Sequence, residues 1–148
     1  TTHNPSLFGP FPPVLGHWFL PLAELLGDGL VEAMVATANL SPRPMSPSNE
    51  GAMSSADVRE TMAKQGIPGT VIGIMSAIYR TGAVLMNRGN ARILCKSPDN
   101  LLLINEIANC VEDATFVHLV RDPRGVWHSG GSGIKGINKY YEEANQAV

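Results

Sequence analysis

Residues 116–129 read FVHLVRDPRGVWHS, in which an apolar run stops at a charged segment. The apolar stretch Thr115–Val120 predicts a buried strand of a parallel sheet, because such strands are covered on both faces. Arg121 would then reach the edge of the sheet, where a guanidinium offers a forked pair of donors to a phosphate. The hydroxyl of Ser129 and nearby backbone N–H groups would complete that anion site. The same spacing also fits a strand that ends in a solvated turn, with Arg121 paired to Asp122.

A second strand-like segment lies upstream of this run. Ala91–Cys95 predicts a short buried strand that brings Lys96 to a sheet edge, where ligands bind in α/β proteins. Ser97–Asp99 predicts the start of a helix that runs to about Cys110, because Pro and Asp are favoured in a first turn. Pro123 predicts the start of another helix. The order strand, helix, strand, helix indicates an α/β fold with a parallel sheet flanked by helices.

The first half of the chain is predicted to be mostly helical. Three helices are expected there: Leu20–Leu40, weakened by Gly27 and Gly29; a polar helix that Ser54 or Ser55 caps and that ends at Gln65; and the apolar helix Thr70–Met86. Residues 1–13 are rich in Pro and turn formers, which predicts a loop. Ile134–Ala147 predicts a last helix. The apolar helix is expected to form the core.

Composition limits the class of protein. The 148 residues are 44% hydrophobic and 16% charged, which indicates a globular domain rather than a disordered chain. A net charge of -2 gives no electrostatic reason to expect a nucleic-acid partner. The longest uncharged apolar stretch in the middle, Ile67–Tyr79, is too short to cross a bilayer. The sequence therefore predicts one domain with no membrane segment in this chain.

Cysteine and histidine give no metal-binding pattern. Cys95 and Cys110 could form one disulfide, but two buried thiols are the favoured interpretation, since Cys packs as a small hydrophobic residue. The histidines are scattered, and no spacing typical of metal ligands is present, so no metal site is predicted. His118 lies within the apolar run and is interpreted as a core histidine.

Taken together, these segments resemble one family. The pattern consists of Lys96-Ser97-Pro98, a helix-length spacer, Asp113-Ala114-x-Phe116, an apolar strand, Arg121-Asp-Pro-Arg124, and Ser129 eight positions after the first Arg. It is similar to the pattern of the sulfotransferases. The resemblance implies a partial P-loop-type sulfotransferase fold and 3'-phosphoadenosine 5'-phosphosulfate as the sulfonate donor. It also implies that Arg121 and Ser129 bind the 3'-phosphate of the donor.

Residues 4–13, NPSLFGPFPP, are similar to a segment of the Golgi carbohydrate sulfotransferases. In those enzymes the segment follows the phosphate loop and its helix, and a Glu that is a plausible general base stands where this chain has Pro12. The resemblance implies that the phosphate loop lies upstream of Thr1 or has been lost, and that residues 1–148 form a single partial sulfotransferase domain. It further implies a glycan acceptor and a location at the Golgi membrane.

Several roles stay open from the sequence. Lys96 is the candidate catalytic residue, as a cation that stabilises charge on the sulfonate or bridging oxygen; the alternative is a surface lysine at a strand end. Arg124 either binds the donor or pairs with Asp122 or Glu112. Trp127 is interpreted as helix packing rather than an adenine stack.

Two functions are compatible with this sequence. The first is transfer of a sulfonate group from the nucleotide donor to a carbohydrate hydroxyl. The second is a non-catalytic nucleotide-binding or interaction domain derived from the same fold. Pro12 in place of Glu, together with the lack of a recognisable phosphate loop within residues 1–148, favours the second. The two functions differ in turnover, because only the first requires it.

Overall fold

The computed structural model describes residues 7–8, 15–40, 52–95, 98–118, 120 and 122. The chain divides into two compact units, Thr1–Ala114 and Thr115–Val148. All described helices and strands lie in the first unit. The single domain expected over residues 1–148 stays a prediction.

The first unit is built mainly from helices. Six α-helices are described, α1 Leu15–Phe19, α2 Ala23–Leu26, α3 Leu30–Asn39, α4 Ser55–Gln65, α5 Val71–Leu85 and α6 Ile104–Cys110. Three 3-10 segments accompany them, at Leu20–Leu22, Gly27–Gly29 and Pro98–Leu103. Two strands, β1 Leu7–Phe8 and β2 Arg92–Ile93, complete the described elements.

Helix α5 lies at the centre of this unit. Thr70 precedes it in extended conformation, and the Thr70 hydroxyl accepts a hydrogen bond from the Gly73 amide at 3.1 Å, which satisfies one free N–H of the first turn. Helices α1, α3, α4 and α6 all pack against α5. The largest fully buried side chains are Met34, Val58, Ile74 and Ile78. The prediction of an apolar core helix over Thr70–Met86 is confirmed.

Helix α4 begins and ends where the sequence predicts. The Ser54 hydroxyl accepts from the Asp57 amide at 3.1 Å, and the Asp57 carboxylate accepts from the Ser54 amide at 3.2 Å. This reciprocal pair is a capping box. Gly66 ends the helix with φ +63°, in the left-handed region that a side chain disfavours.

The helix expected over Leu20–Leu40 is broken into α2 and α3. Gly27 has φ +47° and ψ -123°, a conformation that cannot continue a right-handed helix.

At the C-terminal end of α3, the Asn39 side chain forms hydrogen bonds with both backbone polar groups of Met53. Its Nδ2 donates to the Met53 carbonyl at 2.8 Å, and its Oδ1 accepts from the Met53 amide at 3.2 Å. The end of α3 is thereby tied to the segment that leads into α4.

The strand expected over Ala91–Cys95 is shorter and more exposed than predicted. Only Arg92–Ile93 is a strand, and Leu94 is 52% exposed. The strand Arg92–Ile93 pairs in parallel with Leu7–Phe8, which is part of a segment that the sequence predicts to be a loop. A parallel sheet wider than this pair is not shown among the described residues.

The strand predicted over Thr115–Val120 is wrong for the residues that the structure describes there. Residues 115–118 and 120 form no strand, and Val117 and Val120 are 74% and 84% exposed. His118 is exposed as well, so its interpretation as a core histidine is also wrong. An apolar run becomes a strand only where its backbone N–H and C=O groups find a paired neighbour. The helices predicted after Pro123 and over Ile134–Ala147 lie outside the described residues.

An ion pair between α3 and α4 gives the first unit a pH-dependent contact. Nη2 of Arg59 lies 2.8 Å and 2.9 Å from the two carboxylate oxygens of Glu32, and it also donates to the Asp28 carbonyl at 3.1 Å. Both charged side chains are half exposed. The hydrogen bonds from Arg59 hold the pKa of Glu32 below its ordinary value of 4.5.

Acid should therefore weaken the contribution of Glu32 to folding. A carboxyl whose folded pKa is lowered stabilises the fold above its unfolded pKa, and loses that effect as the pH falls through the lower folded value. We expect Glu32→Gln to melt below the wild type at neutral pH, and the difference to shrink as the pH falls below the ordinary value of 4.5. Thermal unfolding followed by circular dichroism across this range measures the effect.

Glu60→Gln is the matched control for this charge change, because Glu60 pairs with Lys64 on an exposed face of α4. Its effect on the melting temperature should be smaller at neutral pH, as is usual for exposed pairs one turn apart. A melting difference for Glu32→Gln that persists undiminished as the pH falls well below 4.5 would contradict this assignment.

Candidate functional site

The four residues predicted to act on the donor are Lys96, Arg121, Arg124 and Ser129. All four lie outside the described residues, as do Pro12 and Trp127. Their roles therefore stay predictions. What the structure does describe is the surroundings of the backbone on both sides of Lys96, from Cys95 before it to the 3-10 helix Pro98–Leu103 after it.

The parallel ladder of β1 and β2 lies shortly before Lys96 in the sequence. Leu7 pairs with Arg92, and Phe8 pairs with Ile93. Because the strands are parallel, their carboxyl ends meet at one edge, and Lys96 follows Ile93 by three positions. In α/β proteins the carboxyl edge of parallel strands is where ligands bind. The described ladder ends at Ile93, and the placement of Lys96 at such an edge stays a prediction.

Three side chains meet at the thiol of Cys95, and we call Tyr79, Cys95 and Asn100 the thiol cluster. Nδ2 of Asn100 donates to the Cys95 sulfur at 3.4 Å. The sulfur lies 3.8 Å from the Tyr79 hydroxyl and 3.9 Å from Oδ1 of Asn100. Tyr79 comes from α5, Cys95 follows β2, and Asn100 belongs to the 3-10 helix Pro98–Leu103. Three separate elements are joined at this point.

The hydroxyl of Tyr79 is the buried member of the thiol cluster. Tyr79 is 4% exposed, and burial raises the pKa of its hydroxyl above the ordinary value, with a smaller increase from the neighbouring Cys95. The hydroxyl is therefore neutral throughout the physiological range. A buried tyrosine hydroxyl needs a hydrogen-bonding partner, and the Cys95 thiol supplies one.

The two cysteines are free, and both are half-buried. The sulfur of Cys110 lies 3.5 Å from the hydroxyl of Thr70, at the start of α5. The favoured prediction of unpaired thiols is confirmed, but their expected full burial is wrong. Each thiol has a polar neighbour, so each acts as a weak hydrogen-bonding group as well as an apolar one.

Sequence reasoning did not single out Tyr79 or Asn100. Tyr79 stands in the mostly apolar run Val71–Tyr79, where a ring with a polar tip is a signal that a partner must be nearby. Asn100 follows Cys95 by five positions and carries no motif of its own. Its role depends on how the chain folds back after Cys95, which spacing alone does not reveal.

The described residues add two findings on other kinds of site. Among them, no group of three or more His, Cys, Asp or Glu side chains could hold a metal ion. In the same part of the chain, no helix has both the length and the apolar character needed to cross a membrane.

Comparison with known proteins gives the family. The family model described as "Sulfotransferase family" matches residues 33–144. No curated protein and no solved structure matches the chain. The matched segment contains Lys96, Arg121, Arg124 and Ser129, the residues on which the resemblance rests. Since it covers more than half of the 148 residues, the chain belongs to the sulfotransferase family.

Proposed function

We propose that this chain takes part in the transfer of a sulfonate group from 3'-phosphoadenosine 5'-phosphosulfate to a carbohydrate hydroxyl. Membership of the sulfotransferase family indicates sulfonate transfer in general. The observation that carries the proposal is the match over residues 33–144, which includes both the Lys-Ser-Pro motif and the Arg-Asp-Pro-Arg motif. The nucleotide donor follows from the family resemblance of those motifs.

In the proposed reaction, the acceptor oxygen attacks the sulfur of the donor. The bond between sulfur and the bridging oxygen of the 5'-phosphate breaks, and the acceptor hydroxyl loses its proton to a base. Lys96 stabilises the negative charge that develops on the bridging oxygen, as cations do in phosphoryl transfer. Arg121 and Ser129 bind the 3'-phosphate through forked guanidinium donors and a hydroxyl. Arg124 either adds to that phosphate site or pairs with Asp122 or Glu112.

The carbohydrate acceptor rests on a weaker observation. Residues 4–13 are similar to a segment of the Golgi carbohydrate sulfotransferases, and β1 lies within this segment. The parallel pairing brings its carboxyl end to the same edge as the carboxyl end of β2. This supports a single edge from which both the Lys96 segment and the Pro12 segment continue. A glycan partner and a Golgi location are proposed on the same similarity.

Nucleotide binding is the first test of this function. We expect Arg121→Ala to weaken binding of adenosine 3',5'-bisphosphate at least about tenfold, because a charge-assisted contact to a phosphate is lost. Isothermal titration calorimetry on the full chain measures the affinity. Arg80→Ala is the matched control, since Arg80 is an exposed arginine on α5 and should leave the affinity unchanged. Equal affinities for the wild type and Arg121→Ala would reject the phosphate site.

The second candidate function is a nucleotide-binding or interaction domain without catalysis. It is favoured by Pro12, which stands where the carbohydrate enzymes carry a glutamate that is a plausible general base. Proline has no ionisable side chain and cannot accept the proton of the acceptor hydroxyl. Sulfonate transfer from labelled donor to a panel of glycans separates the two functions. Binding of the bisphosphate without turnover would support the second.

A further inference from the structure

Charge is unevenly distributed along the first unit. No Asp or Glu occurs from residue 61 to residue 95, although the whole chain carries a net charge of -2. The cations of that stretch are Lys64, Arg80, Arg88 and Arg92. Lys64 pairs with Glu60, whereas Arg92 is exposed and forms no ion pair with another described residue. The end of α5 and the start of β2 therefore carry a local positive charge.

Residues 87–92, which we call the arginine turn, connect α5 to β2 with the sequence NRGNAR. Hydrogen bonds hold this turn on the end of the helix. The amide of Arg88 donates to the carbonyl of Ala83, in the last turn of α5, at 2.7 Å. The amide of Ala91 donates to the carbonyl of Arg88 at 2.8 Å, which brings the chain back towards its entry point.

The arginine turn also packs closely against α5. A Cβ at position 89 would lie 3.1 Å from Cγ2 of Val84, so Gly89 allows the turn to approach the helix. Asn87 has φ +55°, a left-handed conformation that asparagine adopts more readily than most residues. A turn that is already held in one conformation loses little entropy when it binds a partner.

The crest of the arginine turn is polar and exposed. Asn87, Gly89 and Asn90 are exposed, and the backbone amides of Gly89 and Asn90 donate to no other described residue. An asparagine amide both donates and accepts hydrogen bonds, as does a sugar hydroxyl. A guanidinium offers forked donors to a carboxylate or a sulfate. The turn therefore combines groups that recognise hydroxyls with groups that recognise anions.

This combination favours an anionic glycan over other negatively charged partners. Single-stranded nucleic acids stack their bases on aromatic side chains, and the arginine turn contains no aromatic residue. A membrane surface is bound through apolar side chains that enter the lipid, whereas residues 87–90 are Asn, Arg, Gly and Asn. A glycan that carries carboxylate or sulfate groups presents both hydroxyls and anions.

We propose that the arginine turn is a docking surface for an anionic glycan. Carboxylate or sulfate groups of the glycan contact Arg88 and Arg92, and its hydroxyls contact Asn87 and Asn90. The choice of a glycan rests on the proposed function, in which a carbohydrate accepts the sulfonate. The inference goes further, because it gives that carbohydrate a negative charge of its own. It assigns no catalytic role to these four residues.

Binding of a heparin octasaccharide to the full chain, measured by calorimetry at low salt, tests the proposal. We expect Arg92→Gln to weaken this binding by about fivefold, the upper end for one exposed charge contact. Arg92→Lys keeps the charge but loses the fork, so its affinity should lie between the two. Lys64→Gln is the matched control, since it removes the same charge from α4 and should change the affinity by less than about twofold.

Asn90→Ala tests the hydroxyl contacts without changing the charge. We expect it to weaken octasaccharide binding by about threefold, as for one lost hydrogen bond. Its melting temperature, followed by circular dichroism, should match that of the wild type, because Asn90 is exposed. This variant keeps the proposal testable if Arg92→Gln fails to fold.

Three further probes identify the kind of partner. They are a neutral dextran oligosaccharide of the same length, a single-stranded oligouridylate of the same charge, and vesicles of phosphatidylcholine with phosphatidylserine. The heparin octasaccharide should bind at least about tenfold more tightly than each of them. Tighter binding of the oligouridylate or of the vesicles would overturn the choice of a glycan, and equal binding of dextran would overturn the role of its charge.

The remaining outcomes distinguish this inference from the function on which it rests. A wild type that transfers sulfonate to a neutral glycan but binds no octasaccharide would overturn the docking surface alone. Octasaccharide binding that depends on Arg92, without any sulfonate transfer, would support the surface and reject the proposed function. Equal losses in Arg92→Gln and Lys64→Gln would overturn the surface, since the effect would then follow net charge rather than place.

Discussion

Gly73→Ala should destabilise the first unit by about 3 kcal/mol, at the upper end of the range for overpacking a tight site. A Cβ at position 73 would overlap the carbonyl oxygen of Pro68, and would lie 3.1 Å from the carbonyl carbon and 3.2 Å from the Thr70 hydroxyl. The overlapping atom belongs to the backbone, so no side-chain rotation relieves the clash. The chain before α5 folds closely over its first turn, and only glycine leaves room for it.

Urea unfolding followed by circular dichroism measures this effect on the full chain. Gly69→Ala is the matched control, because a Cβ at position 69 would meet no atom within 4 Å. We expect that variant to stay within about 0.5 kcal/mol of the wild type, as at other open surface positions. A Gly73→Ala protein as stable as Gly69→Ala would show that the approach of Pro68 is not a real constraint.

The second large effect is expected at Ile78. Its side chain is fully buried in α5, at 0% exposure, and belongs to the same core cluster as Met34, Val58 and Ile74. Ile78→Ala removes buried methyl and methylene groups and leaves a cavity that rigid neighbours fill only in part. We expect a loss of about 2 to 5 kcal/mol in the free energy of unfolding, measured by urea titration.

Val84→Ala tests whether this loss comes from burial rather than from the helix itself. Val84 is also β-branched and lies in α5, but it is 60% exposed. Its replacement should change stability by no more than about 0.5 kcal/mol. Similar losses at both positions would mean that α5 is not packed as the core described above.

The helices were predictable because their signals are local. Ser54 and Asp57 mark the start of α4 three residues apart, and the capping box forms between those same side chains. The sequence identifies Gly27 only as a weak point of a single helix over Leu20–Leu40, whereas its positive φ in the structure breaks that helix before α3. The apolar character of Val71–Leu85 predicts burial on most sides, and the structure places that helix at the centre.

The strands were less predictable because a strand depends on a distant partner. Leu7–Phe8 looks like part of a proline-rich loop, and becomes β1 only because Arg92–Ile93 lies beside it. Conversely, Val117 and Val120 favour a strand by residue type, yet the described residues around them form none. Hydrophobic periodicity and strand propensity are properties of one segment, whereas strand pairing depends on two segments.

The candidate site, like the strands, could be predicted from the sequence only in part. Lys96 and Arg121 were found through motif resemblance, which needs no knowledge of contacts. The thiol cluster has no such motif, because Tyr79 and Cys95 are sixteen positions apart and meet only through the packing of β2 on α5. Contacts of this kind are visible only in the folded chain.

The long sequence separation between the paired strands β1 and β2 bears on the order in which parts of the first unit fold during synthesis. All of α1 to α5 lie between β1 and β2 in the sequence, so β1 leaves the ribosome long before its partner is made. Contacts between neighbouring helices close short loops and form fast, whereas this ladder must close a loop that contains five helices. We therefore expect the helical core to form first, and the edge that leads to Lys96 to be among the last parts of the unit to be completed.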